Sequence, residues 1–336
     1  MTSAALDAHE LAPQAAPAAQ GAGPRRGAHP VLRRFATRVI SGIVVLWAAA
    51  TLAFWTLQLV PGSVVDILAG DLSDPVLRDA LIAEWQLNLS AWDQYVAFLG
   101  RLATGDLGTS YVQRQPVLAV IGDQIGPTVI LALTAGVLGV VGAVLLSTFS
   151  IGRKRAVRAS LSTIELVFVS TPVFWSGILL LLVFSFGLGL FPVAGANGVQ
   201  SLVLPAVALA LPTAGLLSQV LREAMERTML EPFIVTVRAR GVREALVVWR
   251  HALVHALLPG MTVAGSLVGG LLGGAVITEQ VFGRPGLGSV TLLAVTNKDV
   301  PVVLGVVLLA AAVYVVVSTA LDILYTAVDP RLRGAR

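Results

Sequence analysis

REAMERTMLEPFIVTVRARGVREALVVWRHALVHALLP, residues 222–259, is the longest polar interruption in the second half of the chain. It holds six arginines, four glutamates and two histidines, between apolar segments long enough to cross a bilayer. From Arg243 to Leu258, 100° per residue gathers Arg243, Glu244, Arg250, His251 and His255 into one stripe of roughly 140°. Leu, Val, Ala and Trp fill the other faces. A segment this charged and this periodic is neither a membrane span nor a loose loop. It reads as an ordered helical platform beside the membrane, shaped to dock a partner.

The composition around it is that of a polytopic membrane protein. Of 336 residues, 56% are hydrophobic and 12% charged, against about 25% charged in soluble domains. The mean hydropathy is +0.84. Thirty-three glycines suit closely packed membrane helices. No cysteine is present, which excludes disulfides, thiolate catalysis and cysteine-based metal sites.

Along the chain, residues 1–30 are rich in Ala, Pro and Gly without a periodic apolar face, and a disordered cytoplasmic tail is expected. The following apolar run is too long for a signal-peptide core. A first span is expected within residues 31–62, about 39–60, where crossing ~30 Å of hydrocarbon takes ~20 residues. Residues 63–126 form the largest piece outside the membrane, with Trp92, Tyr95, Phe98, Leu99 and Leu102 at helical spacing and GDLGTS (105–110) as a turn. Either a surface for an extracytoplasmic partner or a cap packed on the membrane domain fits these aromatics. A five-helix core is expected over 127–327, with spans near 127–150, 161–188, 201–220, 259–276 and 299–327. Gly126–Pro127 suits the first helix start. Residues 328–336 would form a cytoplasmic C-terminal tail.

Basic residues set the orientation. Eighteen of the 23 lie in the first 38 residues, the 153–158 turn, the 222–259 segment and the C-terminal end. Residues 63–126 hold three against eight acidic ones. Six spans with both termini cytoplasmic satisfy this distribution.

At Arg238–Gly241 (RARG), Trp249–Leu253 (WRHAL) and Leu258–Gly260 (LPG), the chain resembles the dipeptide/oligopeptide family of ABC-importer permeases. GDLGTS, FGRPGLG (282–288) and the closing DPRLR (329–333) extend the resemblance over residues 33–333. It implies an all-α, type I ABC-importer-like permease with six transmembrane helices and a helical extracytoplasmic insertion after the first. It also implies that the 222–259 segment carries a short coupling helix seated in a groove of an ATPase subunit. By spacing from Gly241, the family's Glu-Ala-Ala positions fall on Val235, Thr236 and Val237. Val235, Thr236, Val237, Arg238, Ala239, Arg240, Gly241, Val242, Arg250 and His251 are therefore the candidate coupling residues. The implied partners are a second homologous permease, two ABC ATPases carrying ATP and Mg, an extracytoplasmic solute-binding protein and membrane lipid, with no nucleic acid. The chain itself would bind no cofactor or metal. Dipeptides, oligopeptides, nickel chelates and related small solutes all remain open as cargo.

The residues constrain chemistry further. Gly241 permits a chain reversal after a short helix, and Arg238 and Arg240 can face acidic residues of a partner or lipid phosphates. His251 and His255 stand at i, i+4, but no third ligand accompanies them, so a polar stripe is the reading. Pro172, Pro205 and Pro212 permit kinks, while Gly265, Gly269 and Gly273 permit close helix approach. They serve packing and, by extension, a translocation path. Glu165, Glu279 and Asp322 fall near span ends, which argues against ion coupling. The alternative is an ion-gradient-driven secondary transporter or a channel. Neither a GxxxxGK[ST] phosphate loop nor a GxSxG elbow is present, so no enzyme is expected.

Overall fold

The computed structural model describes residues 30–62 and 75–328, with Val65 and Ile67 between them. The N-terminal tail, most of 63–74 and the 329–336 end lie outside the described residues, as does the side chain of Asp322. The chain divides into two units, residues 1–40 and 41–336.

Among the described residues the fold is all-α, with a lone β-bridge between Thr109 and Pro116. The helices are α1 (Pro30–Gln58), α2 (Pro75–Glu84), α3 (Ala91–Ala103), α4 (Val117–Ser150), α5 (Arg155–Ser170), α6 (Val173–Gly187), α7 (Gln200–Met229), α8 (Pro232–Ala239), α9 (Glu244–Val281), α10 (Leu287–Thr296) and α11 (Val300–Val328). α1, α4, α7, α9 and α11 are each long and apolar enough to cross a membrane.

The sixth expected crossing differs. In place of one span over 161–188, α5 and α6 meet at a bend of 105°. Pro172 causes it. It caps α6 with ψ 141°, and a proline drives the preceding residue out of the helical region, leaving Thr171 extended at ψ 123°.

Two other prolines do not end helices. Pro127 lies inside α4, which starts ten residues earlier than expected, and Pro259 lies inside α9, which starts fifteen residues earlier. A proline deletes one amide donor and leaves the rest of the backbone ladder closed, which membrane helices tolerate. At about 1.5 Å per residue, the 38 residues of α9 reach about 57 Å, well beyond ~30 Å of hydrocarbon. Its first turns therefore project past the membrane, carrying His251 and His255 on helix, as their periodicity predicts.

α7 is the most enclosed span, 67% buried along its apolar window. Small residues let its neighbours close in. A Cβ on Gly139 of α4 would lie 2.8 Å from Thr213, and one on Gly274 of α9 would lie 2.6 Å from Leu209. On the other side, Gly215 passes so near α5 that a Cβ would sit 2.7 Å from the Glu165 carbonyl oxygen. Within a bilayer such packing, rather than expulsion from water, holds helices together.

The piece between α1 and α4 is a helical cap. α3 begins at Ser90, whose Oγ accepts from the Asp93 amide at 3.2 Å. It buries Tyr95 and Phe98 against Phe54 of α1 and Leu304 and Leu308 of α11. The GDLGTS turn forms, with the Gly108 amide donating to Asp106 Oδ1 at 2.8 Å. Asp299, buried at the head of α11, accepts from Ser110 Oγ at 2.5 Å and from the Tyr111 amide at 3.1 Å, tying the cap to the core.

Candidate functional site

The polar segment folds as the end of α7, the short helix α8 and the start of α9. Leu230 ends α7, Glu231 caps α8 and Pro232 supplies its first residue, where the missing N–H costs no bond. Eight residues later the chain reverses. Gly241 takes φ +76°, a left-handed conformation that glycine adopts freely, and its amide donates to the Arg238 carbonyl at 2.9 Å.

A solvent-exposed bidentate ion pair joins α8 to the start of α9. Arg238 Nη2 donates to Glu244 Oε1 at 2.6 Å and Nε to Oε2 at 3.1 Å. The hydrogen bond to Glu244 raises the Arg238 guanidinium further above its ordinary range. Ile234 and Val247 are wholly buried beneath the turn, and Phe233 stacks on His255 with centroids 5.3 Å apart. His255 Nδ1 lies 2.8 Å from the His251 carbonyl oxygen. Among the described residues no group of three His, Cys, Asp or Glu side chains could hold a metal.

The candidates brought together here are Val235, Thr236, Arg238, Ala239, Arg240 and Gly241, all exposed, with Val237 and Val242 half-buried. Arg250 is exposed and His251 half-buried on the first turns of α9, where a π-helical stretch runs over Val248–Ala252. Apolar side chains protrude as well: Leu230 is 87% exposed and Val235 65%. An open cleft of about 300 Å³ beside this platform is lined by Val220, Glu223, Ala224, Arg227 and Pro259.

The other candidates stand apart. Pro172 makes the α5–α6 elbow, while Pro205, buried, and Pro212, half-buried, lie within a continuous α7. Gly265 is half-buried, while Gly269 and Gly273 do not pack as Gly274 does. Gly269 and Gly273 are exposed, and a Cβ on Gly273 would meet nothing within 4 Å.

Two polar clusters escaped the sequence reading. Glu165 of α5, fully buried, accepts from Arg222 Nη1 at 2.5 Å, and Arg222 also donates to Ser162 Oγ at 2.9 Å. Arg158 and Glu226 add a longer pair, 3.4 Å, between α5 and α7. At the far end of α9, Glu279 Oε2 accepts from the Gly288 amide at 2.7 Å and Oε1 from Thr128 Oγ1 at 2.6 Å. That carboxylate caps the start of α10, where a negative charge meets free amides. Arg284 beside it donates to the Ser201 carbonyl at 2.8 Å; burial lowers its guanidinium, opposed by the charge of Glu279. The only legible signal for either cluster was a charged residue close to a span.

Long apolar helices around a central α7, with a short exposed helix between two spans, define a polytopic membrane protein. The chain belongs to the binding-protein-dependent transport system inner membrane component family, whose model matches residues 135–334. It is thus a multi-pass inner-membrane permease of the ABC-importer type, not an enzyme and not an ion-gradient carrier. A Brucella abortus protein named as a peptide transport system permease is 35% identical, over 88% of this chain and 97% of its own. The glutathione transport system permease GsiC of Escherichia coli is 31% identical over 88% and 97%. The di/tripeptide transport system permease DppB of Pseudomonas aeruginosa is 31% identical over 88% and 96%. In fold, the chain is similar to a chain of the inward-facing MetNI methionine ABC transporter, with a TM-score of 0.54 and 18% identity over 63% of this chain and 97% of that one.

Proposed function

We propose that this chain forms the translocation path of an ATP-driven importer for peptides or a related small solute. It pairs with a second, homologous permease. An extracytoplasmic binding protein delivers solute near the α2–α3 cap, and two ATPases, which hold ATP and Mg, grip α8. Both termini face the cytoplasm, as the arginine distribution requires. The chain itself binds no cofactor.

One observation carries the reading: α8 is a short helix locked at both ends. Pro232 and Glu231 fix its start and Gly241 its end, and the Arg238–Glu244 pair joins it to α9. A push on α8 therefore passes into α7 and α9 as a rigid-body displacement rather than being absorbed by a loop. Exposed Val235 and Leu230 offer an apolar contact, and Arg240 a charge for acidic residues on the ATPase.

The test replaces Arg240 and Gly241 together by alanine and follows co-purification of the ATPase and solute uptake. Loss of both is expected while the permease still reaches the membrane. Normal uptake with retained ATPase would sink the coupling assignment. Cargo is read separately, by competing labelled dipeptide uptake with oligopeptides and with nickel chelates.

A further inference from the structure

We propose that α3 is an interfacial helix, lying in the leaflet boundary that α1 leaves at Gln58 and resting on lipid through Trp92, Val96, Gly100 and Ala103. This depends only on α1 spanning the membrane, not on the coupling assignment.

Depth comes first. Tyr95 of α3 shares a 2.7 Å hydrogen bond with Thr51 of α1. Thr51 lies seven residues before the end of α1, or about 10 Å inward at 1.5 Å per residue. The α1 span, Thr37–Gln58, has 22 residues, about enough to cross the hydrocarbon. Tyr95 therefore reaches below the end of the span. Gln58 Nε2 donates to Gln94 Oε1 at 3.3 Å, so α3 lies along the last turns of α1 and not above them.

The distribution of side chains around α3 agrees. At 100° per residue, Trp92, Val96, Gly100 and Ala103 fall within about 80°, and all four are exposed, Trp92 by 61% and Val96 by 52%. This strip adjoins the arc of buried Tyr95 and Phe98 and half-buried Leu99 and Leu102. Arg101 and Gln94 take the far side, and Asp93 stands at the edge of the strip, 20° from Gly100 at 100° per residue. The apolar surface of α3 is thus wider than the protein covers, with Arg101 turned away and Asp93 at its edge, as in a helix lying in a membrane interface.

The occupant follows from continuity. Trp92 packs at a tilt on Trp55, centroids 6.5 Å apart, and Trp55 also meets Tyr95 at 6.0 Å. Trp55 sits one turn inside α1, between Leu52 and Leu59, which are 69% and 84% exposed. The strip prolongs the apolar outer surface of a membrane span. A tryptophan at that depth places its apolar ring in the acyl boundary and its polar N–H toward the headgroups.

With no native cysteine, single spin labels report the environment directly. Val96→Cys is labelled in the full transporter in liposomes, and relaxation by oxygen is compared with relaxation by a water-soluble nickel chelate. The oxygen-to-nickel ratio is expected to match Leu52→Cys and to exceed Arg101→Cys several-fold. A ratio at 96 equal to that at 101 would put the strip in water. Shielding of 96 from both reagents would mean that a protein covers it. Either result overturns the proposal. Ala103→Cys gives the same reading should the first label disturb folding.

Discussion

At the residue scale, the Glu165–Arg222 pair is the strongest polar commitment between α5 and α7. Arg222 is 16% exposed in its side chain and Glu165 not at all, so screening by water is slight. Removing one partner of a buried pair strands the other, at about 3–5 kcal/mol, whereas apolar replacement of both is often neutral. Arg222→Ala is therefore expected to lower the melting temperature in detergent markedly. Arg222→Met with Glu165→Leu is expected to restore most of it. Equal losses in the two proteins would show that the charges do not hold the helices. The sequence displayed both residues, but not their pairing. Fifty-seven positions separate them, and only the α5–α6 elbow and the close pass at Gly215 bring them together.

At the element scale, the long apolar runs were legible because hydrocarbon thickness fixes a minimum length, which five helices satisfy. Their ends were not. Pro127 and Pro259 looked like boundaries and proved to be interior, whereas Pro172, expected within one span, broke it. The difference lies in tertiary support that periodicity does not encode. The small residues divide in the same way. At Gly215 a new Cβ meets α5 backbone at 2.7 Å, which cannot swing aside; at Gly273 it meets open space. Gly215→Ala is expected to destabilise the isolated subunit by about 1–3 kcal/mol through overpacking. Gly273→Ala is expected to leave it unchanged or gain up to about 1 kcal/mol from helix propensity. Thermal unfolding of the two side by side checks this, and a reversed order would mean that α5 and α7 are not in backbone contact there. The α8 turn was legible for a simpler reason. Its signal, Gly241 closing a short helix, is local and needs no distant partner; Pro232, nine positions earlier, was not read as its start.

At the scale of the whole molecule, the two ends of the bundle carry different devices. One end gathers α8, the Arg238–Glu244 lock and the α5–α7 ion pairs. The other holds the α2–α3 cap, Asp299 and the Glu279 cap of α10. In the importer proposed above these lie on opposite sides of the bilayer, one for the ATPase and one for the delivered solute, and the positive-inside rule favours α8 inside. Single cysteines at exposed positions test that directly: Arg101→Cys on α3, Lys154→Cys in the turn between α4 and α5, and Ala239→Cys on α8. With a membrane-impermeant maleimide on intact cells, labelling is expected at 101 alone. Opening the cells should then expose 154, while 239 should label only when the ATPase is absent, because α8 is covered in the assembly. Labelling of 239 from outside would invert the bundle and remove the coupling function with it. Labelling of 239 in opened cells regardless of the ATPase would keep the topology but free α8 of its partner.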